Sequence, residues 1–240
     1  MGDDKKVAVL VGASGLTGGH LLAALLETPD FVRVYAVTRR QLGRDHARLA
    51  NRIVQFDRIE SQLKGLACHT AFCCLGSSLH AAGSEQAWRA AEIDRVLAFA
   101  RAARAGGAQR FVHLSCSGAA TGRDLGAELK RECELALEGL GFPSLDILQP
   151  GPLMGLRREI QPTQLVRALV TVLAAPALTG PREVHRAVSA RVVAAAMLGA
   201  ARSGRRGTYR YTYSGIRALA RVAAPTQGHP AATSPRNRVT

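Results

Sequence analysis

The sequence predicts an α/β fold, a doubly wound parallel sheet with a small C-terminal cap region, and three observations predict it. Short apolar runs rich in Val, Ile, Leu and Phe recur over the first 150 residues, helix-patterned segments separate them, and the first run ends in a glycine-rich turn that leads straight into a helix. Short continuous apolar strands are those buried on both faces, and their alternation with helices indicates a parallel sheet covered on both sides by right-handed crossovers.

The apolar runs, in order, are KVAVLV (6–11), VRVYAV (32–37), RIVQF (52–56), TAFCCL (70–75), RFVHLS (110–115) and LDILQP (145–150). Their length is that of buried strands. Helical patterns occupy LTGGHLLAALLE (16–27), the long segment 85–105 and the stretch DLGAELKREC (124–133) around Lys130. Beyond Pro150 the rhythm changes to two helical segments, about 162–175 and 189–202, followed by TYRYTYSG (208–215), whose alternating tyrosines have strand periodicity. One domain over 1–220 is expected, with the cap region beginning near 151. The stretch 221–240 has three prolines and no apolar period, and is expected to be a disordered basic tail.

Composition narrows the function classes. The net charge is +14, but residues 184–240 hold ten Arg and no Asp, Glu or Lys, while the first 183 residues have 22 basic and 18 acidic side chains. A basic C-terminal segment can favour anionic substrates, acidic partners or membrane surfaces, or simply be solvated. Apart from the Tyr-rich run there is no aromatic platform or nucleic-acid motif, so nucleic acid is not an expected partner. The longest apolar stretches, 169–178 and 192–201, are too short for a transmembrane segment. Five cysteines without metal-type spacing read as reduced thiols, and no metal site is expected. With the charged start MGDDKK, these features predict a cytoplasmic protein.

The turn after the first run reads GASGLTG, with Gly12, Gly15 and Gly18 in GxxGxxG spacing. The first glycine permits a tight turn, the second lets backbone approach a pyrophosphate, and the third lets the helix pack on the strand. Helix N–H groups and the positive dipole end then face the phosphates. Gly12, Ser14, Gly15, Leu16, Thr17 and Gly18 are thus the expected dinucleotide cradle of a Rossmann fold. At the end of the second run, where an NAD site offers an acidic residue to the ribose, stand Thr38, Arg39 and Arg40. Arginine there accommodates a 2′-phosphate. Charge-assisted bonds worth ~1.5–3 kcal/mol each favour NADP(H) over NAD(H), the alternative being a solvated arginine pair.

The combination of GASGLTG, TRR, FCCLG (72–76), IDRVLAFARAARAGG (93–107), FVHLSCSGA (111–119), the lysine helix and QPG (149–151) resembles the atypical short-chain dehydrogenase/reductase superfamily, and within it the Tat-interacting-protein-like oxidoreductases. The resemblance implies that Leu75 and Gly76 lie beside the cofactor ribose and that Pro150 and Gly151 lie near the nicotinamide. Gln55 stands where relatives place an Asp against the adenine, and its amide can still hydrogen-bond an exocyclic amine. In that superfamily a reactive tyrosine precedes the lysine by four residues on one helical face; the lysine holds the nicotinamide ribose and activates the phenol. Aligned on Lys130 the tyrosine position is Gly126, and no tyrosine occurs between Tyr35 and Tyr209. Lys130 and Ser115 remain as the catalytic candidates, with Ser117 as the other available hydroxyl and His80 as a substitute acid.

The resemblance thus implies a weak NADP(H)-dependent carbonyl/alcohol oxidoreductase acting on an unknown small-molecule substrate. The competing reading is a catalytically impaired NADP(H)-sensing module that binds a protein partner.

Overall fold

The computed structural model describes residues 6–77, 79–119, 124–154 and 186–223. Nine strands occur among them: β1 Val7–Val11, β2 Arg33–Thr38, β3 Leu49–Ile53, β4 Thr70–Cys73, β5 Arg110–Leu114, β6 Ser144–Leu148, β7 Leu153–Met154, β8 Val188–Ser189 and β9 Gly207–Tyr211. The helices are α1 Leu16–Glu27, α2 Ile59–Gln62, α3 Leu79–Ala82, α4 Glu85–Arg89, α5 Arg95–Ala105, α6 Leu125–Glu138, α7 Ala190–Arg202 and α8 Tyr213–Ala223. A π-helical turn, Ala90–Asp94, joins α4 to α5.

Seven strands form one sheet in the order β3-β2-β1-β4-β5-β6-β9, every neighbouring pair parallel. The winding reverses between β1 and β4, and in such sheets ligands bind in the crevice beyond the carboxyl ends of the strands at that reversal. The expected doubly wound parallel sheet is therefore the observed fold.

Alternating residues of the central strands feed two separate cores. Ala8 and Leu10 of β1 turn toward a layer with Leu21 and Leu25 of α1 and Val193 and Met197 of α7. Val9 and Val11 turn toward the opposite layer, with Phe99 of α5, Leu137 of α6 and Ile147 of β6. Each large apolar side chain removed from water on these faces contributes about 1.5–3 kcal/mol. Phe111 ties the second layer together, with its ring 5.8 Å from that of Phe99 and 4.9 Å from that of Phe142.

Two elements differ from the sequence expectation. The third strand lies over 49–53 instead of 52–56, because its register with β2 runs from Val34↔Leu49 to Thr38↔Ile53 and the chain then turns at Phe56–Arg58. As an edge strand it is only partly buried, so it lacks the continuous apolar run that marks a central strand. Second, Tyr213 opens α8 instead of extending the Tyr-rich strand. Ile216, Leu219 and Ala223 bury one face of this helix beside α7. It runs past the expected boundary at 221, and Arg202 Nη1 donates to the Ala223 carbonyl at 2.8 Å. The cap segment expected around 162–175 and the stretch 224–240 lie outside the described residues.

Candidate functional site

The glycine turn is built to bring three pieces of backbone together. Gly12 has φ +86, a region open to glycine, and a Cβ there would lie 2.6 Å from the Cys74 carbonyl oxygen at the end of β4. A Cβ on Gly18 would sit 2.1 Å from the Gly12 oxygen, so α1 packs directly on the turn. Gly15, whose N–H donates to the Gly12 carbonyl at 3.0 Å, caps α1 without a side-chain acceptor. Ser14 and Gly15 are exposed, Leu16 is half-buried, and Thr17 is buried with no partner on its Oγ1. An uncapped helix start over a glycine-rich turn, with an orphaned hydroxyl beside it, fits a pyrophosphate.

At the end of β2, Asn51 fixes the loop that carries the two arginines. Its Nδ2 donates to Thr38 Oγ1 at 2.7 Å, its Oδ1 accepts from Leu42 N at 2.6 Å, and Thr38 Oγ1 donates to the Arg40 carbonyl at 2.7 Å. Arg39 and Arg40 are themselves exposed, on a backbone held at a fixed distance from the sheet. Gln55 stands exposed after β3, with its N–H donated to Gln62 Oε1 at 2.8 Å.

Lys130 lies inside the protein, with its side chain 12% exposed, and its Nζ is 2.6 Å from Oε2 of Glu92, which is almost wholly buried. The other Glu92 oxygen accepts from the backbone N–H of Ser77. Gly76 lies over this pair: a Cβ there would stand 3.7 Å from Glu92 Oε1 and 3.8 Å from Lys130 Nζ. The candidates Leu75, Gly76 and Lys130 are thus brought together. Burial acts to lower the Lys130 pKa, but the Glu92 carboxylate more than reverses this and holds it above the ordinary lysine value. Burial pushes the Cys73 and Cys133 thiols up to about 12. It also pushes the His113 imidazole well below its usual range, a shift that Lys130 reinforces. His113 is therefore neutral, and neither of its nitrogens has a hydrogen-bond partner.

Gly126 lies in the first turn of α6, capped by the Asp124 side chain accepting from Ala127 N at 2.9 Å. The indole of Trp88 lies against it: a Cβ on Gly126 would meet Trp88 Cη2 at 3.0 Å and Cζ2 at 3.1 Å. Trp88 is half-buried and donates from Nε1 to the Ser77 carbonyl at 3.3 Å.

Ser115, at the end of β5, is bound elsewhere. Its hydroxyl donates to Glu134 Oε1 at 2.5 Å, and the same buried carboxylate accepts from Gln149 Nε2 at 2.9 Å and from Arg210 Nε at 3.0 Å. Pro150 and Gly151 are buried just beyond β6, and the Pro150 carbonyl accepts from Ser117 N at 2.9 Å. His80 lies exposed on α3.

Sequence reasoning missed Glu92, Glu134 and the placement of Trp88. It also treated the C-terminal arginines as a basic surface, yet Arg202 pairs with Asp30, Arg210 pairs with Glu134 and Glu138, and Arg205 stacks on Tyr209 and Tyr211. No group of side chains suited to a metal ion and no membrane-spanning helix occurs among the described residues.

The NAD dependent epimerase/dehydratase family matches residues 8–133, which cover the glycine turn, the Arg39–Arg40 loop, Leu75 and Gly76, and the lysine helix as far as Cys133. The chain belongs to that family. Protein HTATIP2 of Rattus norvegicus is 33% identical over 162 residues, 65% of this chain and 66% of its own length. The fmp52 protein of Aspergillus fumigatus is 29% identical over 182 residues, 72% of this chain and 78% of its own. Among solved structures, a short chain dehydrogenase from Burkholderia cenocepacia in complex with NADP superposes with a TM-score of 0.62 at 18% identity, covering 93% of this chain and 95% of that one. Within the family, the chain is an atypical short-chain dehydrogenase/reductase of the HTATIP2 branch. Nicotinamide dinucleotide binding is supported by the family. The cytoplasmic expectation is corrected, because the fungal relatives are named mitochondrial. A charged N-terminal stretch and free thiols, on which that expectation rested, do not separate the cytosol from another reducing compartment.

Proposed function

We propose that the protein binds NADP(H) in preference to NAD(H) and that any carbonyl or alcohol redox chemistry it performs is slow. The observation that carries the second half is the packing at Gly126: beside a buried lysine, an indole covers the place where a phenol would begin. The bound dinucleotide would supply a hydride donor or acceptor. The glycine turn cradles its pyrophosphate, Arg39 and Arg40 take the 2′-phosphate, and Gln55 lies on the adenine side. Leu75 and Gly76 flank the nicotinamide ribose, Lys130 donates to the ribose hydroxyls, and Pro150 and Gly151 back the nicotinamide.

Proton delivery is the weak link. The Ser115 hydroxyl has one proton, and it is donated to Glu134. Polarising a substrate carbonyl would require that bond to break. A positioned general acid is worth ~10²–10⁴-fold, so hydride transfer without one is slow. The same engagement of Ser115 supports a second reading, a cofactor-sensing module whose occupancy alters a protein contact.

The test is titration with NADPH, NADP, NADH and NAD, followed by Trp88 fluorescence and thermal shift, on the wild type and on Arg39→Ala with Arg40→Ala. Preference for the phosphorylated forms of at least about tenfold is expected from one or two charge-assisted bonds, and its loss in the double variant. Equal affinities in the wild type would refute the cofactor assignment.

A further inference from the structure

A carboxylate on the buried face of a helix needs a reason. Ile93, Val96, Phe99, Ala100 and Ala103 share the core-facing side of the π turn and α5, and Glu92 lies on that side with them, 2% exposed. Stability does not supply the reason, because buried ion pairs are often replaceable by apolar residues at no loss. The helix is also locally re-wound at this residue, and π turns of this kind frequently mark functional positions.

What Glu92 touches supplies a reason. One oxygen accepts from Ser77 N in the loop that follows β4; the other pairs with Lys130 Nζ at 2.6 Å. An ammonium has three N–H donors, so Lys130 can turn donors toward a ligand lying over Gly76 without leaving its countercharge. The other titratable groups near Lys130 are Cys73 and Cys74 from β4 and its following residue, His113 from β5, and Cys133 from α6. All are held neutral by burial, which leaves Glu92 as the countercharge among the described residues.

We propose that Glu92 is a positioning residue of the dinucleotide site, holding the Lys130 ammonium beneath Gly76 and tying the ribose loop to it through Ser77. The assignment rests on the reading of Lys130 as the ribose ligand. Glu92 itself touches no cofactor atom in this scheme; it sets the charge and distance of the group that does.

The test is the pH dependence of NADPH affinity in Glu92→Gln. The amide keeps an acceptor for Ser77 N and removes the negative charge, so the buried lysine is left to lose its proton at a lower pH. NADPH affinity of the variant should fall by about tenfold per pH unit above that lowered pKa. The wild type should stay flat from about pH 7 to 9, a window above the second phosphate ionisation near 6. Adding Lys130→Met should make binding weak and flat. A variant that loses affinity equally at all pH values, or not at all, overturns the proposal. If Glu92→Gln fails to fold, a ¹⁵N side-chain titration of wild-type Lys130 decides: protonation persisting past the ordinary lysine value supports it, and titration at or below that value overturns it. Wild-type protein that binds no nicotinamide dinucleotide would instead overturn the cofactor reading, an outcome distinct from a flat variant profile.

Discussion

Restoring the phenol is the most direct trial of the impaired-site reading, and the structure sets what it will cost. In Gly126→Tyr the new Cβ would lie 3.0 Å from Trp88 Cη2 and 3.3 Å from Asp124 Oδ1, so the indole must move before a ring can be seated. Overpacking of this kind costs about 1–3 kcal/mol, and loss of the indole hydrogen bond to the Ser77 carbonyl adds about 0.5–1.5 kcal/mol. Replacing a helical glycine returns only a few tenths of a kcal/mol. A net destabilisation of about 1–4 kcal/mol is expected from these terms. Pairing the change with Trp88→Ala opens the space. The assay is NADPH consumption with a generic aldehyde or ketone, with NADPH affinity and Tm measured in parallel. Relative to Trp88→Ala alone, the double variant should reduce the probe up to about 10²-fold faster, and Lys130→Ala should cancel the gain. Brisk, Lys130-dependent reduction by the unmodified protein would refute the reasoning and point to another acid, such as His80. No gain in a folded, NADPH-binding double variant would favour the sensing module.

The remaining predictions concern stability. His113 is buried and neutral with its pKa lowered, so below about pH 6.5 the unfolded chain binds a proton that the folded one does not, and stability falls with acid by up to ~1.4 kcal/mol per pH unit; His113→Leu should flatten Tm between about pH 6.5 and 5, and an unchanged acid slope would contradict the assignment. At the C-terminus, a truncation after Ala220 should be less stable than one after Ala223, since it also removes the buried Ala223 and the acceptor of Arg202. The difference is about 1–2 kcal/mol, or roughly 2–8 °C in Tm, and identical melting of the two truncations would show that the last turn of α8 contributes nothing.

The central sheet was legible because its strands are buried on both faces, so apolar continuity alone marked β1, β2, β4, β5 and β6. That signal fails at an edge. β3 is half-exposed, and it is placed by pairing with β2 and by Asn51 reaching the Ala36 carbonyl at 3.1 Å, neither of which is a property of the run itself. α8 was overlooked for a related reason: its buried residues, Ile216, Leu219 and Ala223, are separated by Arg and Ala and follow directly on a strand, so the helical period starts where a strand period was already being counted.

At the candidate site, the glycine spacing could be read because backbone geometry demands it, whereas the charged partners could not, because each depends on a distant element. Yet a local trace of them exists. Glu92 stands four residues before Val96 and seven before Phe99, on the stripe that the segment buries, and on α6 Lys130 and Glu134 share a face with Ala127 and Leu137. Lysine and glutamate almost never go fully inside unless paired, so an ionisable residue on an apolar stripe is itself a statement that a partner exists elsewhere in the chain. For Lys130 the partner is Glu92, 38 residues earlier. For Glu134 it is Arg210, contributed by the strand that closes the sheet, together with Ser115. The two carboxylates therefore divide the site's two catalytic candidates between them: one holds the lysine beneath Gly76, and the other engages the serine's proton. That division is the physical ground of the proposal that the cofactor is bound without efficient proton transfer.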